Sequence, residues 1–578
     1  MMRKLLKYLK GYRLYTILTP ISIIFEVLFE VYIPFIMAQI IDIGIANKDT
    51  SYINQKGLLM ILMAFLALFF GALSAYLSST AGTGFAKNIR QGVFYKIQNF
   101  SFSNIDNFST PSLVTRLTTD VTNTQMAFIM SIRMMVRAPV MFVFAVIMSV
   151  RINAELSLIF LFAIPFIAIS LAIISSKAYP RFREMLERYD KLNAIVQENL
   201  TAIRVVKAFV RGDYEESKFE DVASSVKDTQ ARAEKIIIWN MPIMQLVIYG
   251  CIIAVAWFGG QKIVFGEMQT GQLISFISYI TQILMSLMML SMVFIFMVIS
   301  RASIKRITEV LEEEPEITNS KTDPAFQVED GSISFNNVSF AYSGKEDSCV
   351  LEDINFSIES GKTLGIIGGT GSSKSSLVQL IPRLYDVTKG ELLIAGKDVK
   401  DYDLETLRDA VAIVLQNNVL FSGTIRDNLK WGNENATEEE IINACKVAQA
   451  HDFIMSFPEG YDTHLGQGGV NVSGGQKQRL SIARSLLKNP KIIILDDSTS
   501  AVDTKTENSI KSALKSNLTD TTTIIISQRV SSIQDADMII ILDDGKINEI
   551  GIHEELIENN EIYKEIYESQ QKGASING

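Results

Sequence analysis

The sequence is poor in cysteine and has no uninterrupted tract of basic residues, and each shortage excludes a class of protein. Its 578 residues include three cysteines, Cys251, Cys349 and Cys445, which lie far apart without a CxxC spacing. This pattern predicts neither a disulfide framework nor a zinc site. The net charge is -9 and no tract of Lys and Arg offsets it. Nucleic acid is therefore not an expected partner.

Apolar residues are abundant and unevenly distributed along the chain. They make up 48% of it, with long apolar runs before about residue 300 and an ordinary soluble composition afterwards. A chain of 578 residues is also longer than one hydrophobic core supports. We therefore expect a membrane domain over residues 1–310, a linker over 311–330, a soluble domain over 331–570 and a disordered tail over 571–578.

Six apolar runs are each long enough to cross a bilayer, which takes about 20 residues. They are residues 14–45, 57–80, 124–150, 156–176, 236–258 and 273–300. The gaps between them alternate short and long, so bulky structure is expected on one side of the membrane only. Lys and Arg crowd the segment before the first run and the second long gap, which the positive-inside rule assigns to the cytoplasm. The sequence predicts a multi-pass protein of the cell membrane, in contact with lipid, whose N-terminus and soluble domain are cytoplasmic.

Two pairs of charged residues interrupt the apolar runs. Glu26 and Glu30 share one face of the first run at i,i+4 spacing, and Arg133 and Arg137 have the same spacing in the third. At about 1.5 Å per residue, both pairs lie roughly 20 to 27 Å from the outer ends of their spans. Intramembrane charges face a partner or a wet cavity. Two interpretations stay open: an ion pair between the spans, or carboxylates that line a substrate cavity and favour cations.

A phosphate-binding loop follows a short apolar strand at residues 363–367. Free N–H groups at a helix start bind phosphate, and we expect Lys374 to reach the outer phosphates and the Ser375 hydroxyl to bind Mg²⁺. Tyr342, about 26 residues earlier, is placed to stack on the adenine ring. The predicted ATP-binding residues are Tyr342, Gly368, Gly369, Thr370, Gly371, Ser372, Ser373, Lys374, Ser375 and Ser376.

Two other segments are expected to complete the metal site. Residues 492–495 form an unbroken apolar run, typical of a buried parallel strand, and Asp496 follows it directly. Gln416 stands at the end of the apolar run 411–415. The predicted Mg²⁺ ligands are Ser375, Gln416 and Asp496.

With the Val-Ser-Gly-Gly-Gln run at 472–476 and Ser-Ala-Val-Asp at 500–503, these motifs resemble ABC exporters whose membrane and nucleotide-binding domains are fused. The resemblance covers nearly the whole chain. It implies an exporter-type α-helical membrane domain joined to an α/β P-loop NTPase domain, with ATP and Mg²⁺ as cofactors. Residues 105–110 and 204–209 would then be coupling regions. It also implies a dimer, in which each ATP touches one chain's phosphate loop and these residues of the other: Ser473, Gly474, Gly475 and Gln476.

Three residues depart from the pattern of hydrolytic members. Ser373 replaces a Gly, and if its φ is positive the added Cβ costs about 1–2 kcal/mol. Asp497 stands where a Glu activates water and is one methylene shorter. Gln528 occupies the position of a His that contacts the γ-phosphate, and it cannot become cationic. The chain therefore resembles the degenerate-site subunit of bacterial heterodimeric exporters. Asp497, Gln528 and Gln416 are then the catalytic positions of a site that binds ATP but cleaves it poorly.

The expected function is ATP-driven export of amphipathic or drug-like compounds, or of lipids or peptides, together with a second, different half-transporter. Hydrolysis would occur mainly at the partner's site. Two alternatives stay open: an importer of metal chelates built on the exporter fold, and a nucleotide-gated channel or regulatory subunit. Nothing in the sequence selects a particular small-molecule or lipid-like substrate.

Overall fold

The computed structural model describes residues 2–319 and 326–576, which form two compact units. One unit runs to Gln98 and resumes over Thr110–Glu313, and the other comprises Asn99–Ser109 and the chain from Glu314 onward. Part of the predicted linker, including Pro324, lies outside the described residues, as do the last two residues of the predicted tail.

The first unit is built of helices, which are numbered along the chain together with those of the second unit. Among the described residues, six helical segments are long and apolar enough to cross a membrane, which confirms the six predicted spans. The helices are α1 Met2–Leu5, α2 Arg13–Gln39, α3 Thr50–Gln98, α5 Thr110–Thr115, α6 Val121–Ile152, α7 Ala154–Thr201, α8 Ile203–Ala208, α9 Gly212–Ile237, α10 Asn240–Val264 and α11 Thr270–Glu312. A 3₁₀ turn over Leu6–Leu9 follows α1, and π-helical turns at Ile40–Ile45 and Arg116–Asp120 extend α2 and precede α6.

Polar contacts join the first and last spans inside this unit. The Asp42 carboxylate accepts hydrogen bonds from the backbone N–H groups of Gly271 (2.6 Å) and Gln272 (3.0 Å). These groups belong to the first turn of α11, where N–H donors have no partner within the helix. The buried Tyr279 hydroxyl donates to the Val31 carbonyl at 2.8 Å. Because apolar packing alone is not directional, such bonds fix the register of α2 against α11.

The described part of the second unit contains three sheets and short helices. Its strands are β1 Ile333–Phe340, β2 Leu351–Ile358, β3 Thr363–Ile367, β4 Lys389–Ile394, β5 Lys397–Asp398, β6 Val411–Val414, β7 Gly423–Thr424, β8 His464–Leu465, β9 Ile492–Asp496, β10 Thr522–Ile526, β11 Met538–Asp543 and β12 Lys546–Gly551. Its helices are α4 Phe102–Phe108, α12 Lys374–Leu380, α13 Leu404–Ala410, α14 Ile425–Lys430, α15 Glu438–Val447, α16 His451–Met455, α17 Gly474–Leu486, α18 Thr504–Asn517, α19 Val530–Ile533, α20 His553–Asn559 and α21 Glu561–Ile576.

A six-stranded sheet with strand order β12-β11-β3-β10-β9-β6 holds the centre of this unit. All neighbouring pairs from β11 to β6 are parallel, and β12 is antiparallel at one edge. Ile526 at the end of β10 lies opposite Asp496 at the end of β9 and Ile366 near the end of β3. The carboxyl ends of these strands therefore meet at one edge, which is where ligands bind in sheets of this kind.

Two boundaries differ from the prediction. Residues Asn99–Ser109, expected in the membrane domain, belong to the second unit. The Tyr385 hydroxyl donates to the Asp106 carboxylate at 2.7 Å, and the Phe102 ring meets that of Tyr385 edge-on. The tail predicted to be disordered from residue 571 is helical to Ile576, because α21 continues past Gln570. This helix buries Tyr563 in a cluster with Ile539 and Ile541 of β11 and residues of α19 and α20.

Candidate functional site

Four strands of the central sheet deliver the predicted site residues to one cavity. It has a volume of about 320 Å³ and lies at the carboxyl edge of β3, β6, β9 and β10. Every predicted Mg²⁺ ligand and all three departures from the hydrolytic pattern border it. The lining residues are Thr370, Gly371, Ser372, Ser373, Lys374, Ser375, Ser376, Gln416, Asp496, Asp497, Ile526 and Gln528.

The phosphate loop connects β3 to α12 through a tight turn. A Cβ on Gly368 would lie 2.0 Å from the Leu542 carbonyl oxygen, so only glycine fits there. Gly369 and Gly371 have open space at their Cβ positions, and Gly371 has φ +88°. Ser373 is in the left-handed region, with φ 66° and ψ 22°, directly before the first residue of α12. The positive φ considered from the sequence is therefore present, and the Ser side chain strains the loop.

Ser373→Gly should stabilise the nucleotide-binding unit by about 1 kcal/mol, because glycine adopts positive φ without a Cβ penalty. In a domain of this size, that corresponds to a rise of roughly 2–4 °C in the unfolding temperature. Scanning calorimetry of the purified full-length chain measures it. Ser372→Gly is the matched control: its buried hydroxyl donates to the Gly369 carbonyl at 2.8 Å, so its loss should lower the unfolding temperature. An unchanged or lowered value for Ser373→Gly would show that the backbone there is not strained.

Lys374 and Asp496 place opposite charges in the cavity. The Lys374 ammonium donates to the carbonyls of Gly369 (2.7 Å) and Gly368 (3.0 Å). Burial lowers the pKa of Lys374. Burial also raises the pKa of Asp496, and a hydrogen bond from Ser375 offsets part of that rise. Burying a carboxylate is costly unless a cation or donors compensate it. A buried carboxylate beside a hydroxyl and the Gln416 amide is therefore a donor set that fits Mg²⁺, which prefers oxygen ligands.

Asp497 has a constrained backbone and a distant partner. Its φ is +47°, a region in which Asp is found more often than most residues. Its backbone N–H donates to the Ile526 carbonyl at 3.0 Å, which fixes it between β9 and β10. The Gln416 amide reaches its carboxylate at 3.5 Å, the outer limit of a hydrogen bond. The backbone of Asp497, the residue predicted to replace a catalytic Glu, is thus held between β9 and β10 at the edge of the cavity.

The turn that carries Gln528 is held by a residue that the sequence did not reveal. Gln570 of α21 donates from its amide to the Gln528 carbonyl at 2.7 Å and accepts from the Val530 N–H at 3.0 Å. It lies at the boundary of the predicted tail and belongs to no motif. The one sequence signal is the helical spacing of Ile562, Tyr563, Ile566 and Tyr567. This spacing predicts a helix that continues towards Gln570.

A second residue missed from the sequence is Glu507, which is only 2% exposed. Its carboxylate accepts hydrogen bonds from Thr499 (3.2 Å), just after β9, and from Arg529 (3.4 Å) and Ser532, after β10. A buried carboxylate with several donors is rigid. Glu507 therefore joins the segment after Asp497 to the segment after Gln528.

Tyr342 lies beside α12, where its hydroxyl is 2.8 Å from that of Ser376. Its ring is 48% exposed and stands edge-on to Tyr385, with centroids 5.1 Å apart. Burial raises the pKa of Tyr385, as does its hydrogen bond to Asp106. Tyr342 keeps an open face on which a planar ring can stack, although it does not line the cavity itself.

The predicted signature residues form the start of α17, and none of them lines this cavity. Ser473 caps the helix by accepting from the Gln476 N–H at 3.3 Å, and the Gln476 side chain accepts from the Ser473 N–H at 2.8 Å. A Cβ on Gly475 would lie 2.7 Å from the Ala501 carbonyl oxygen. Backbone N–H groups at a helix start attract anions. The exposed Ser473 and Gly474 can therefore face a phosphate outside this chain's own cavity.

Comparison with known families decides the assignment. The profile of the ABC transporter transmembrane region matches residues 16–288, and that of the ABC transporter matches residues 351–500. The chain is 39% identical over 572 residues to the uncharacterized ABC transporter ATP-binding protein YfiB of Bacillus subtilis, covering 98% of both proteins. The chain belongs to the ABC transporter family.

Two further similarities place this ABC transporter among exporters. It is 30% identical to an ATP-dependent lipid A-core flippase of Desulfotalea psychrophila, over 93% of each protein. A solved structure of a bacterial Atm1-family ABC exporter with ATP bound superposes with a TM-score of 0.81 at 25% identity, covering 98% of each chain. The chain is therefore a multi-pass membrane protein with an exporter-type membrane domain, and its cytoplasmic ATP-binding domain drives transport.

The membrane domain of this ABC transporter contains the predicted pairing of charges between the first and third spans. The Arg137 guanidinium lies 2.6 Å from the Glu30 carboxylate and 3.3 Å from that of Glu26. Glu26 also accepts from the Ser74 hydroxyl of α3 at 3.2 Å and is 9% exposed. The ion-pair interpretation is thus confirmed for Arg137, while among the described residues Arg133 takes part in no salt bridge. That Glu26 or Glu30 lines a substrate cavity stays a prediction.

The two carboxylates should respond differently to neutralisation. The Glu26 side chain is 11% exposed and that of Glu30 35%. Glu26→Gln should lower the unfolding temperature and reduce export of all compounds alike, since it breaks a buried contact among three helices. Glu30→Gln should reduce export of a cationic dye about tenfold more than export of a neutral dye. Transport by inverted vesicles measures both. Equal losses for the two dyes in Glu30→Gln would leave Glu30 with a structural role only.

Proposed function

We propose that this chain is the ATP-storing half of a heterodimeric exporter. Its own site binds ATP with Mg²⁺ and cleaves it slowly, while a second, different half-transporter supplies the main hydrolytic site. The observation that carries the proposal is the convergence of Ser373, Asp497 and Gln528 on one cavity. Because three residues of this one cavity depart from the pattern of hydrolytic members, we infer that it has a function other than hydrolysis.

The binding residues support retention of ATP at this site. The phosphate loop keeps its glycines, and Lys374, Ser375 and the buried Asp496 line the cavity beside it. These groups would hold the phosphates and Mg²⁺, and the metal would neutralise phosphate charge. What the site lacks is a base long enough to orient water and a group able to become cationic at position 528. General-base assistance accelerates a reaction by about 10²–10⁴. The shorter side chain of Asp497 is therefore enough to account for slow cleavage.

The intact start of α17 supports the complementary role. Ser473 and Gln476 form a closed capping box, and Gly475 packs without a side chain against Ala501. Ser473 and Gly474 at the helix start are exposed, and neither lines this chain's own cavity. In a dimer it would complete the ATP site of the partner, which explains why this motif is preserved while the local site is altered.

Amphipathic or drug-like compounds, or lipids, are the proposed substrates. The relationship to a lipid A-core flippase supports cargo with a large apolar part. The ion pairs of Arg137 with Glu26 and Glu30 support a polar contact with the substrate within the membrane domain. Glu30 is the more exposed of the two carboxylates.

The purified full-length chain should show little steady-state ATPase activity and should gain it when co-purified with a second half-transporter that carries a catalytic Glu and a switch His. In that pair, Asp497→Asn should change the rate less than about threefold, whereas neutralising the partner's Glu should lower it at least about 100-fold. Rapid turnover by the chain alone, abolished by Lys374→Ala, would contradict the proposal.

A further inference from the structure

The N-terminal segment before the first span forms a cationic pocket that the transport cycle does not explain. The 3₁₀ turn Leu6–Leu9 and the start of α2 border a cavity of about 430 Å³ that is open to the surface. Three basic side chains border it, and no carboxylate does. The lining residues are Lys7, Lys10, Gly11, Arg13 and Leu14.

The backbone of this segment is seated on α3 by two aromatic rings and two hydrogen bonds. The ring of Tyr12 lies 2.3 Å from where a Cβ on Gly84 would stand, and the ring of Tyr8 lies 2.4 Å from the same point on Gly92. Between them, the Asn88 amide donates to the carbonyls of Tyr8 (2.7 Å) and Lys10 (3.0 Å). These three α3 residues follow one another at i,i+4 spacing and form a groove for the aromatic side of the segment.

The opposite side of the segment keeps its charge uncompensated. Lys4 forms an ion pair with Glu312, but among the described residues Lys7, Lys10 and Arg13 have no acidic partner. Lys7 contacts the Tyr8 ring, with its ammonium 5.2 Å from the ring centre. All three side chains are exposed. Cations that border one cavity without a counter-ion repel one another, and an anion placed among them relieves that repulsion.

The pocket continues directly into an apolar surface. Arg13 is the first residue of the first span, so the cations lie where the chain enters the membrane from the cytoplasm. Leu14 belongs both to the pocket lining and to a stripe with Ile17 and Ile21, and these side chains are 66%, 61% and 43% exposed. Residues at i, i+3 and i+7 share one face of a helix. A ligand that fits both parts has an anionic head and an apolar chain.

We propose that Lys7, Lys10 and Arg13 bind the phosphate of an anionic phospholipid of the cytoplasmic leaflet, whose acyl chain lies along Leu14, Ile17 and Ile21. Basic residues just cytoplasmic of a span are attracted to anionic lipid. The fixed position of this segment makes the attraction a defined site. The lipid would anchor the first span at a set depth, independently of how the two ATP sites divide their work.

Native mass spectrometry of the detergent-purified full-length chain, titrated with dioleoyl-phosphatidylglycerol, tests this site. The triple variant Lys7→Gln, Lys10→Gln, Arg13→Gln should bind the lipid about 100-fold more weakly, and Lys10→Gln alone about fivefold more weakly. The charge-matched control replaces three exposed lysines of the nucleotide-binding unit, Lys345→Gln, Lys446→Gln and Lys564→Gln, and should bind like the unmodified chain.

Two further probes separate the sources of the phosphate. Dioleoyl-phosphatidylcholine has the same acyl chains, but its choline ammonium offsets the phosphate charge, so it should bind the unmodified chain more weakly than phosphatidylglycerol does. Inorganic phosphate at millimolar concentration should not displace the bound phosphatidylglycerol, because it lacks the apolar part. Undiminished lipid binding by the triple variant, an equal loss in the control, or full displacement by phosphate would each overturn the proposal. Because Lys7→Arg and Lys10→Arg keep the charges, that double variant should bind normally, which separates charge from folding.

Discussion

Replacing Asp497 by Glu and Gln528 by His together should raise the ATPase rate of this chain about 100-fold, the lower end of what a general base contributes. The cavity already holds Lys374, Ser375 and Asp496, so the two substitutions supply only the missing groups. Glu adds the methylene by which Asp497 falls short, and its backbone is fixed by the bond to Ile526. The His side chain replaces an amide that cannot carry positive charge, on a turn that Gln570 already holds.

Steady-state phosphate release by the purified chain measures this gain. Asp497→Asn combined with Gln528→His is the matched control: it has the new His but no carboxylate, and it should stay as slow as the unmodified chain. Adding Lys374→Ala to the restored variant should abolish the gain, which would show that the new activity arises at this phosphate loop. A restored variant no faster than the original chain would mean that the altered side chains are not the cause of slow cleavage.

In that restored background, two inactive variants should complement one another when they form a mixed dimer. Lys374→Ala removes the phosphate-loop ammonium, and Gly475→Ala places a Cβ 2.7 Å from the Ala501 carbonyl oxygen at the start of α17. Each change alone should lower the rate at least about 100-fold, as expected when a charged or backbone contact to the phosphates is lost. A dimer containing one copy of each variant retains one complete site, formed by the phosphate loop of one chain and α17 of the other.

Co-expression of the two variants with different affinity tags, followed by purification on both tags, isolates the mixed dimer. With one of two equivalent sites complete, it should recover roughly half of the restored activity. Mixing the separately purified homodimers without subunit exchange provides the control and should recover none. A doubly tagged dimer as inactive as its parents would show that α17 does not act on the neighbouring chain's nucleotide.

Much of this arrangement could be predicted because the sequence patterns are local. The apolar run that became β3 has the predicted bounds, and unbroken burial of β9 follows from its apolar sequence. Since parallel strands end at a common edge, the residues that follow them had to meet there. The pairing of Arg137 with Glu26 and Glu30 was likewise accessible, since intramembrane charges need partners.

Other features depend on contacts between distant segments and could not be predicted. Nothing in the sequence around Gln570 indicates a role at the site. The continuation of α21 brings it to the Gln528 turn. Glu507 has no motif, yet it joins two loops that follow different strands. Residues Asn99–Ser109 follow a membrane span in sequence, yet they belong to the nucleotide-binding unit. There the Tyr385 hydroxyl donates a hydrogen bond to the Asp106 carboxylate.

A single-turnover experiment with radiolabelled ATP tests whether this site holds ATP without cleaving it. The purified chain is loaded with sub-stoichiometric ATP and Mg²⁺, and the bound nucleotide is identified over the time in which the Asp497→Glu, Gln528→His variant converts its own to ADP. The unmodified chain should still hold ATP when the variant holds ADP. Conversion to ADP by the unmodified chain at the variant's rate, and its loss with Lys374→Ala, would contradict the proposal.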